Sequence, residues 1–277
     1  MSFTLFYAIV RTTAKEWIED NAPRLGASLA FYSILSLGPL LLIVLSVGSL
    51  FFSHEAVSGH VFSEIRDLVG DESAQAIEAI LSHTQNRQTG IWSTIIGLVT
   101  LLLAVTGVFC ELQDALNIIW KVKTPKNGGV LVLFKKRLLS FAMVLTIGFL
   151  LLISLVISSV LYAFSHYFSP VIPSILLHAL NFIVSFAVTT LLFAMIFKIL
   201  PDIIVTWRDV GIGSVITSIL FTIGKQLISL YIGHSTFSST YGAAGSLIVV
   251  LVWIYYSTQI LFLGAEFTQV YTRSTKR

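Results

Sequence analysis

VGIGSVITSILFTIGKQLISLYI, residues 210–232, and GAAGSLIVVLVWIYYSTQILFLG, residues 242–264, are two apolar runs separated by a short turn. Each has the length at which an α-helix crosses a hydrocarbon layer of about 30 Å. Backbone polar groups in lipid must be satisfied within their own segment, so each run reads as a membrane-spanning helix. Lys225 is the one ionisable residue well inside an apolar run of this chain. The second run opens on Tyr241-Gly242-Ala243-Ala244-Gly245-Ser246 and closes on Gly264-Ala265-Glu266.

The composition extends this reading to the whole chain. Of its 277 residues, 56% are hydrophobic and 11% charged, whereas a soluble domain carries roughly 25% charged residues. There is too little charge to cover a soluble surface, and apolar runs recur. The single cysteine, Cys110, excludes an intramolecular disulfide and a cysteine-built zinc site. No cleavable signal peptide is expected, because the first apolar run is too long for a signal core.

Six spans are expected, at about 26–52, 91–112, 138–164, 175–199, 210–232 and 242–264, within a single membrane domain over 1–277. Residues 3–20 read as an interfacial helix. Phe3, Phe6, Tyr7, Val10, Ala14, Trp17 and Ile18 recur at helical spacing, with Arg11, Lys15 and Glu19 facing elsewhere. Its apolar side is expected to meet either lipid or the protein's own inner face. Pro39 is expected to kink the first span. The outer loop, 53–90, is expected to hold two short helices, the first ending near Gly70. Gly242 and Gly245 are read as packing positions of the last span.

Orientation follows from the Lys and Arg bias of the loops. With both termini inside, fourteen of the 17 basic residues are cytoplasmic, two lie outside, and Lys225 stays in the membrane. The net charge of +3 therefore reflects topology. Trp120 and Trp207 at the inner boundary and Trp92 at the outer one suit aromatic anchors.

Small and polar stripes on spanning helices mark helix interfaces or hydrated cavities. Gly211, Ser214, Ser218, Thr222, Lys225 and Ser229 form such a stripe, and both readings stay open. Asn181 and Ser185 share one face of the fourth span. A lysine in hydrocarbon costs roughly 2.5–3.5 kcal/mol on insertion scales. Lys225 has three escapes: snorkelling to the outer surface, an acidic partner, or a cavity holding water or an anionic ligand. Glu111, Asp114 and Glu266 lie at the inner level, about 28 Å from Trp92 in the case of Glu111. They are candidates for an inner gate or coupling site, not partners of Lys225.

Enzyme constellations are absent from the sequence. It holds no phosphate loop, no G-x-S-x-G and no H-E-x-x-H. His54, His60, His83, His166, His178 and His234 have no metal-binding spacing. Neither a metal nor a cofactor is expected. The basic loop with Lys121, Lys123, Lys126, Lys135, Lys136 and Arg137 suits anionic lipid headgroups; nucleic acid is not expected as a partner.

Stretches along the chain resemble the virulence factor BrkB, or YihY, family of bacterial membrane proteins. They are PRLGASLAFY (23–32), LQDALNIIW (112–120), Leu200-Pro201-Asp202, Trp207-Arg208-Asp209-Val210, Gly224-Lys225, YGAAGS (241–246), WIYYS (253–257) and LGAEF (263–267). Cys110-Glu111-Leu112 departs slightly from the pattern. The resemblance implies a six-helix protein of the bacterial inner membrane. The family has carried a label as a tRNA-processing ribonuclease (ribonuclease BN), has been associated with serum resistance, and has been suggested to transport or export lipid. Metal-dependent RNA cleavage needs clustered His and Asp ligands, and the sequence offers no such cluster on the cytoplasmic side.

The expected protein is thus an all-α integral membrane protein with six transmembrane helices, N-in and C-in, and is not an enzyme. The leading function is a non-ATP-driven transporter or flippase-like exporter of an anionic or amphiphilic, lipid-like substrate. Lys225 is expected to meet the negative group, with Ser218, Thr222, Ser229, Asn181 and Ser185 along the path. The alternative from another class is an envelope-organising protein linked to serum resistance, without transport.

Overall fold

The computed structural model describes residues 3–49, 53–69, 74, 107–122, 174–233 and 245–275. These residues form helices and connections, with no strand among them. In chain order they are α1 (Phe3–Glu19), α2 (Ala22–Gly48), α3 (His54–Val69), α4 (107–119), α5 (Ser174–Ile199), α6 (Trp207–Gly233) and α7 (Gly245–Thr275). Among the described residues, three stretches are long and apolar enough to cross a membrane: Phe182–Ile199, Trp207–Ile228 and Leu247–Thr275. The expected third span, residues 91–106 of the second, the later part of the outer loop, the basic loop beyond Val122 and Gly242 lie outside the described residues.

The expected elements recur with shifted ends. The helix of span 1 begins at Ala22 and continues through Pro39. Pro23 sits in its first turn, where a missing N–H costs nothing. The last helix runs on to Thr275, about three turns past the expected end of the span at Gly264. Arg273 in that extension pairs with Glu16 of α1 and the threonine hydroxyls bond within the helix, so the helix has no reason to stop where the apolar run stops.

The main core lies at the end of the bundle where α1 and the end of α7 meet. Ala22, Leu25 and Leu29 of α2 pack there with Leu112, Leu116 and Ile119 of α4. Phe193 and Phe197 of α5, Val210 of α6 and Phe262 and Ala265 of α7 complete it. Ring contacts link Phe193 to Phe197 and Phe221.

Helices α6 and α7 cross through a reciprocal pair of glycine–threonine contacts. A Cβ built on Gly213 would fall 1.9 Å from Thr268 Oγ1, and one on Gly264 would fall 2.0 Å from Thr217 Oγ1. Each threonine follows a glycine of its own helix by four residues. Thr217 donates to Gly213 O and Thr268 to Gly264 O, at 2.8 and 2.6 Å. The hydroxyls are satisfied locally, so both can be buried where helices approach closely in lipid.

Of the two arrangements open for α1, the structure takes the one with the apolar side outward. Phe6, Tyr7, Val10 and Ile18 are exposed, whereas Ile9, Thr13 and Glu16 are buried. The apolar side thus faces away from the protein, as a lipid-contacting helix requires, and a mixed polar face packs inward against α7.

Thr206 precedes α6 and donates to Asp209 Oδ2 at 2.6 Å, an arrangement related to the capping box. Thr206→Ala is expected to destabilise the fold by about 1 kcal/mol, with Thr206→Ser close to wild type. Thermal unfolding of the two variants in detergent checks this.

Candidate functional site

The α1–α2 corner is built by Asp20 and Asn21. Asp20 N donates to Glu16 O, and Asn21 adopts a left-handed conformation at φ 54°, which asparagine tolerates better than most residues. Arg24 N and Leu25 N then donate to Asn21 O, starting α2 at once. The tight corner holds Asp20 over the end of α4.

The end of α4 is shaped to meet it. Lys121 N donates to Ile118 O and Val122 N to Asn117 O, with Lys121 left-handed at φ 53°. This is the Schellman pattern, which usually takes glycine at the position of Lys121. A lysine there accepts some backbone strain, and its ammonium donates to Asp20 Oδ2. Lys121 Nζ also lies 3.8 Å from Glu16 Oε2.

From α7, Arg273 Nη2 donates to Glu16 Oε1 at 2.5 Å. Glu266 lies on α7 two turns earlier and is fully buried, and neither of its carboxylate oxygens has a hydrogen-bond partner among the described residues. Glu16, Asp20 and Glu266 can each bring one oxygen within 4.8 Å of the others. Three carboxyl groups therefore share two cations.

A second polar joint stands beside this cluster. Asn117 Nδ2 donates to Asp202 Oδ2 at 2.9 Å and Gln113 Nε2 to Asp202 Oδ1 at 3.2 Å. Asp202 N returns a bond to Asn117 Oδ1 at 2.8 Å. The joint ties α4 to the α5–α6 connection. It brings two separate resemblance stretches, LQDALNIIW and Leu200-Pro201-Asp202, into one structure. At the same connection Lys198 Nζ donates to Val205 O and stands 5.7 Å from the centre of the Trp207 ring.

The sequence-predicted residues divide into groups. Glu266 meets acids, but they are Glu16 and Asp20; the described acid cluster does not include Glu111, which is half-buried, or Asp114, which is exposed. Glu266 is also sealed within the helices, where an inner-surface position was expected. The expectation that no metal-binding group exists rested on spacing within single segments. The tertiary structure brings together three oxygen donors from two distant ones. On α6, Ser214 and Ser218 are buried, and Ser214 and Thr222 spend their hydroxyls on Val210 O and Ser218 O. Lys225 is half-buried and has neither an ion pair nor a hydrogen bond among the described residues. Ser185 is exposed on α5. The side chains of Asn181, Ser229 and Pro39 lie outside the described residues. Gly245 is buried at the start of α7.

Glu16 and Asp20 were missed by sequence reasoning, and one signal for them existed. Ile9, Thr13, Glu16 and Asp20 step by 4, 3 and 4, which places them on one face of a helix. A stripe ending in two acids was masked by the stronger apolar stripe on the other side of α1.

The profile of a family described as Virulence factor BrkB matches residues 13–277. A UPF0761 membrane protein of Ralstonia nicotianae is 29% identical over 266 residues, covering 93% of this chain and 57% of that protein. One of Tolumonas auensis is 28% identical over 255 residues, covering 90% and 80%. One of Legionella pneumophila is 26% identical over 275 residues, covering 97% and 64%. The chain thus spans little more than half the length of some of the relatives it matches. Their names describe membrane proteins and state no enzymatic activity. No solved structure matches the chain.

Proposed function

The chain belongs to the Virulence factor BrkB family, and from that premise we propose that it is a multi-pass inner-membrane transporter or flippase-like exporter, not driven by ATP, for an anionic or amphiphilic substrate. One observation carries the proposal: Lys225, a half-buried cation in an apolar helix with no partner among the described residues. A charge kept at that cost inside a membrane helix is a functional-site hypothesis by default.

The surroundings suit an amphiphile. One turn beyond Lys225, a groove of about 450 Å³ runs between α6 and α7, lined by Leu227, Ile228, Tyr231, Val252, Tyr255 and Tyr256. It accepts an apolar tail, while Lys225 offers charge to an anionic head. Thr222 and Ser218 continue from Lys225 toward the core, where Ser218 is sealed. In this reading the path is closed at the end that holds the acid cluster. The ties of Arg273 and Lys121 to α1 form the closure, and Glu266 lies beneath it. Opening requires α1 to separate from α7 and α4.

Substituted-cysteine accessibility along residues 214–229, in a Cys110→Ala background, tests the path. Labelling by a water-soluble reagent is expected at 222, 225 and 229, and not at the outward-facing apolar positions 219 and 223. Absence of labelling on the Lys225 side removes the physical basis for transport and favours an envelope-organising role. In parallel, Lys225→Met is expected to abolish substrate movement without lowering the amount of folded protein. An unchanged phenotype sinks the functional reading of Lys225.

A further inference from the structure

We propose that Glu16, Asp20 and Glu266 form a binding site for a single hard cation of the calcium and sodium size class, with Lys121 as the charge that the cation displaces.

Spacing is the first support. One oxygen from each carboxylate lies within 4.8 Å of the other two. Two oxygens on one ion are separated by at most twice the ion–oxygen distance. That limit is about 5 Å for calcium-like contacts of about 2.3–2.6 Å, so the spacing admits an ion of that size. Sodium has nearly the radius of calcium and the same preference for oxygen.

The second support is independent of the acid count. Glu266 is completely buried, its carboxyl is directed at Glu16 and Asp20, and both its oxygens lack a hydrogen-bond partner among the described residues. Gln269 follows Glu266 by one turn, and Thr13 precedes Glu16 by one turn. Both are more than nine-tenths buried, and Gln269 Oε1 and Thr13 Oγ1 are likewise without partners. Oxygen acceptors on both α1 and α7 are thus left unmatched. Buried polar groups are rarely left in this state, and a hard cation is the ligand that oxygen acceptors share.

Charge supplies the third support. Arg273 is committed to Glu16 Oε1 and Lys121 to Asp20 Oδ2, so Glu266 has no cation of its own. The Lys121 side chain is 44% exposed. It can swing into solvent and leave Asp20 and Glu16 Oε2 to the incoming ion. Arg273 stays on the outer oxygen of Glu16. The exchange links α1, α4 and α7 through one ion. If the transport reading holds, this is its coupling site; ion binding itself does not depend on transport and is measured without it.

The test uses the full chain purified in detergent, stripped with chelator and held in a potassium buffer. Calcium, sodium and magnesium chlorides are titrated separately, with calorimetry and thermal unfolding as readouts. Calcium or sodium is expected to bind at one ion per chain and to raise Tm, with magnesium weaker because it gives up its waters reluctantly and demands octahedral geometry. Glu266→Gln and Asp20→Asn are expected to weaken binding at least tenfold. Lys121→Met is expected to strengthen it several-fold, because the competing ammonium is gone; a merely structural lysine would not do this. Should Glu266→Gln fail to fold, wild type and Lys121→Met decide alone. The proposal is overturned if none of the three cations binds wild type, or if binding survives unchanged in Glu266→Gln. It is equally overturned if Lys121→Met weakens binding, or if Tm answers to pH alone, which assigns the site to a proton.

Discussion

Gly264→Val is expected to prevent stable assembly of the α6–α7 pair. A Cβ at this position would fall 2.0 Å from Thr217 Oγ1 and 2.7 Å from Thr217 Cγ2, far inside van der Waals contact. The threonine cannot turn away cheaply, because its hydroxyl is held to Gly213 O at 2.8 Å and its side chain is fully buried. The helices must separate instead, which breaks the reciprocal Gly213–Thr268 contact as well. Overpacking of a well-filled core costs about 1–3 kcal/mol and sometimes more; two linked contacts put this variant at the upper end or beyond. The expected measurement is loss of the monodisperse species in detergent chromatography. Gly264→Ala should behave more mildly and should recover in the double variant Gly264→Ala/Thr217→Gly, which reopens the space. Wild-type behaviour of Gly264→Val would show that the crossing is looser than the contacts require.

Asn117→Asp is expected to be the most damaging conservative change outside the crossing. Asn117 both donates to and accepts from Asp202, and Gln113 supplies a second donor to that carboxylate. The substitution removes one donor and sets a second carboxylate 2.9 Å from the first. Asn117 is buried, while Asp202 is exposed to solvent, so screening trims the repulsion. A loss of about 2–3 kcal/mol follows from the missing charge-assisted bond and the repulsion together. The double variant Asn117→Asp/Asp202→Asn exchanges donor and acceptor and should restore most of the stability. Thermal unfolding of the single and double variants measures the coupling, and additive losses would show that the two residues do not act as a pair.

Both predictions concern joints that explain the spacing of otherwise plain motifs. LQDALNIIW reads in sequence as one more helix with polar insertions. In the structure its Gln113 and Asn117 hold Asp202, its Trp120 and Ile119 enter the core, and its last turn presents Lys121 to Asp20. The Gly264-Ala265-Glu266 closing of the last span likewise carries two functions on neighbouring faces. Gly264 lets α6 approach, and Glu266 enters the acid cluster.

The site was less legible than the fold. Lys225 stands out in sequence because a charge within an apolar run is a local anomaly. Glu266 drew notice for the same reason, at the edge of a run. Glu16 and Asp20 sit in a charged lead where acids are ordinary, and Lys121 sits among other lysines. Nothing local distinguishes a carboxylate facing solvent from one facing another carboxylate. The Lys15–Glu19 pair, 3.5 Å apart and exposed on the same helix, is the ordinary case, and sequence spacing identifies that kind of pair readily.

What the sequence alone determined is the membrane class, the helical content and the approximate place of each described span. Those properties follow from segment length, apolar content and the need to satisfy backbone groups within each segment, all of which are local. What only the tertiary structure decided is which faces meet. It turned the apolar side of α1 outward and the Thr13–Glu16 side inward. It carried α7 three turns past its apolar run and gathered Glu16, Asp20, Glu266, Lys121 and Arg273 from three separate stretches. In a medium where apolar burial between helices gains little, small-residue contacts and polar partners set these choices, and partners distant in sequence become visible only when the chain is folded.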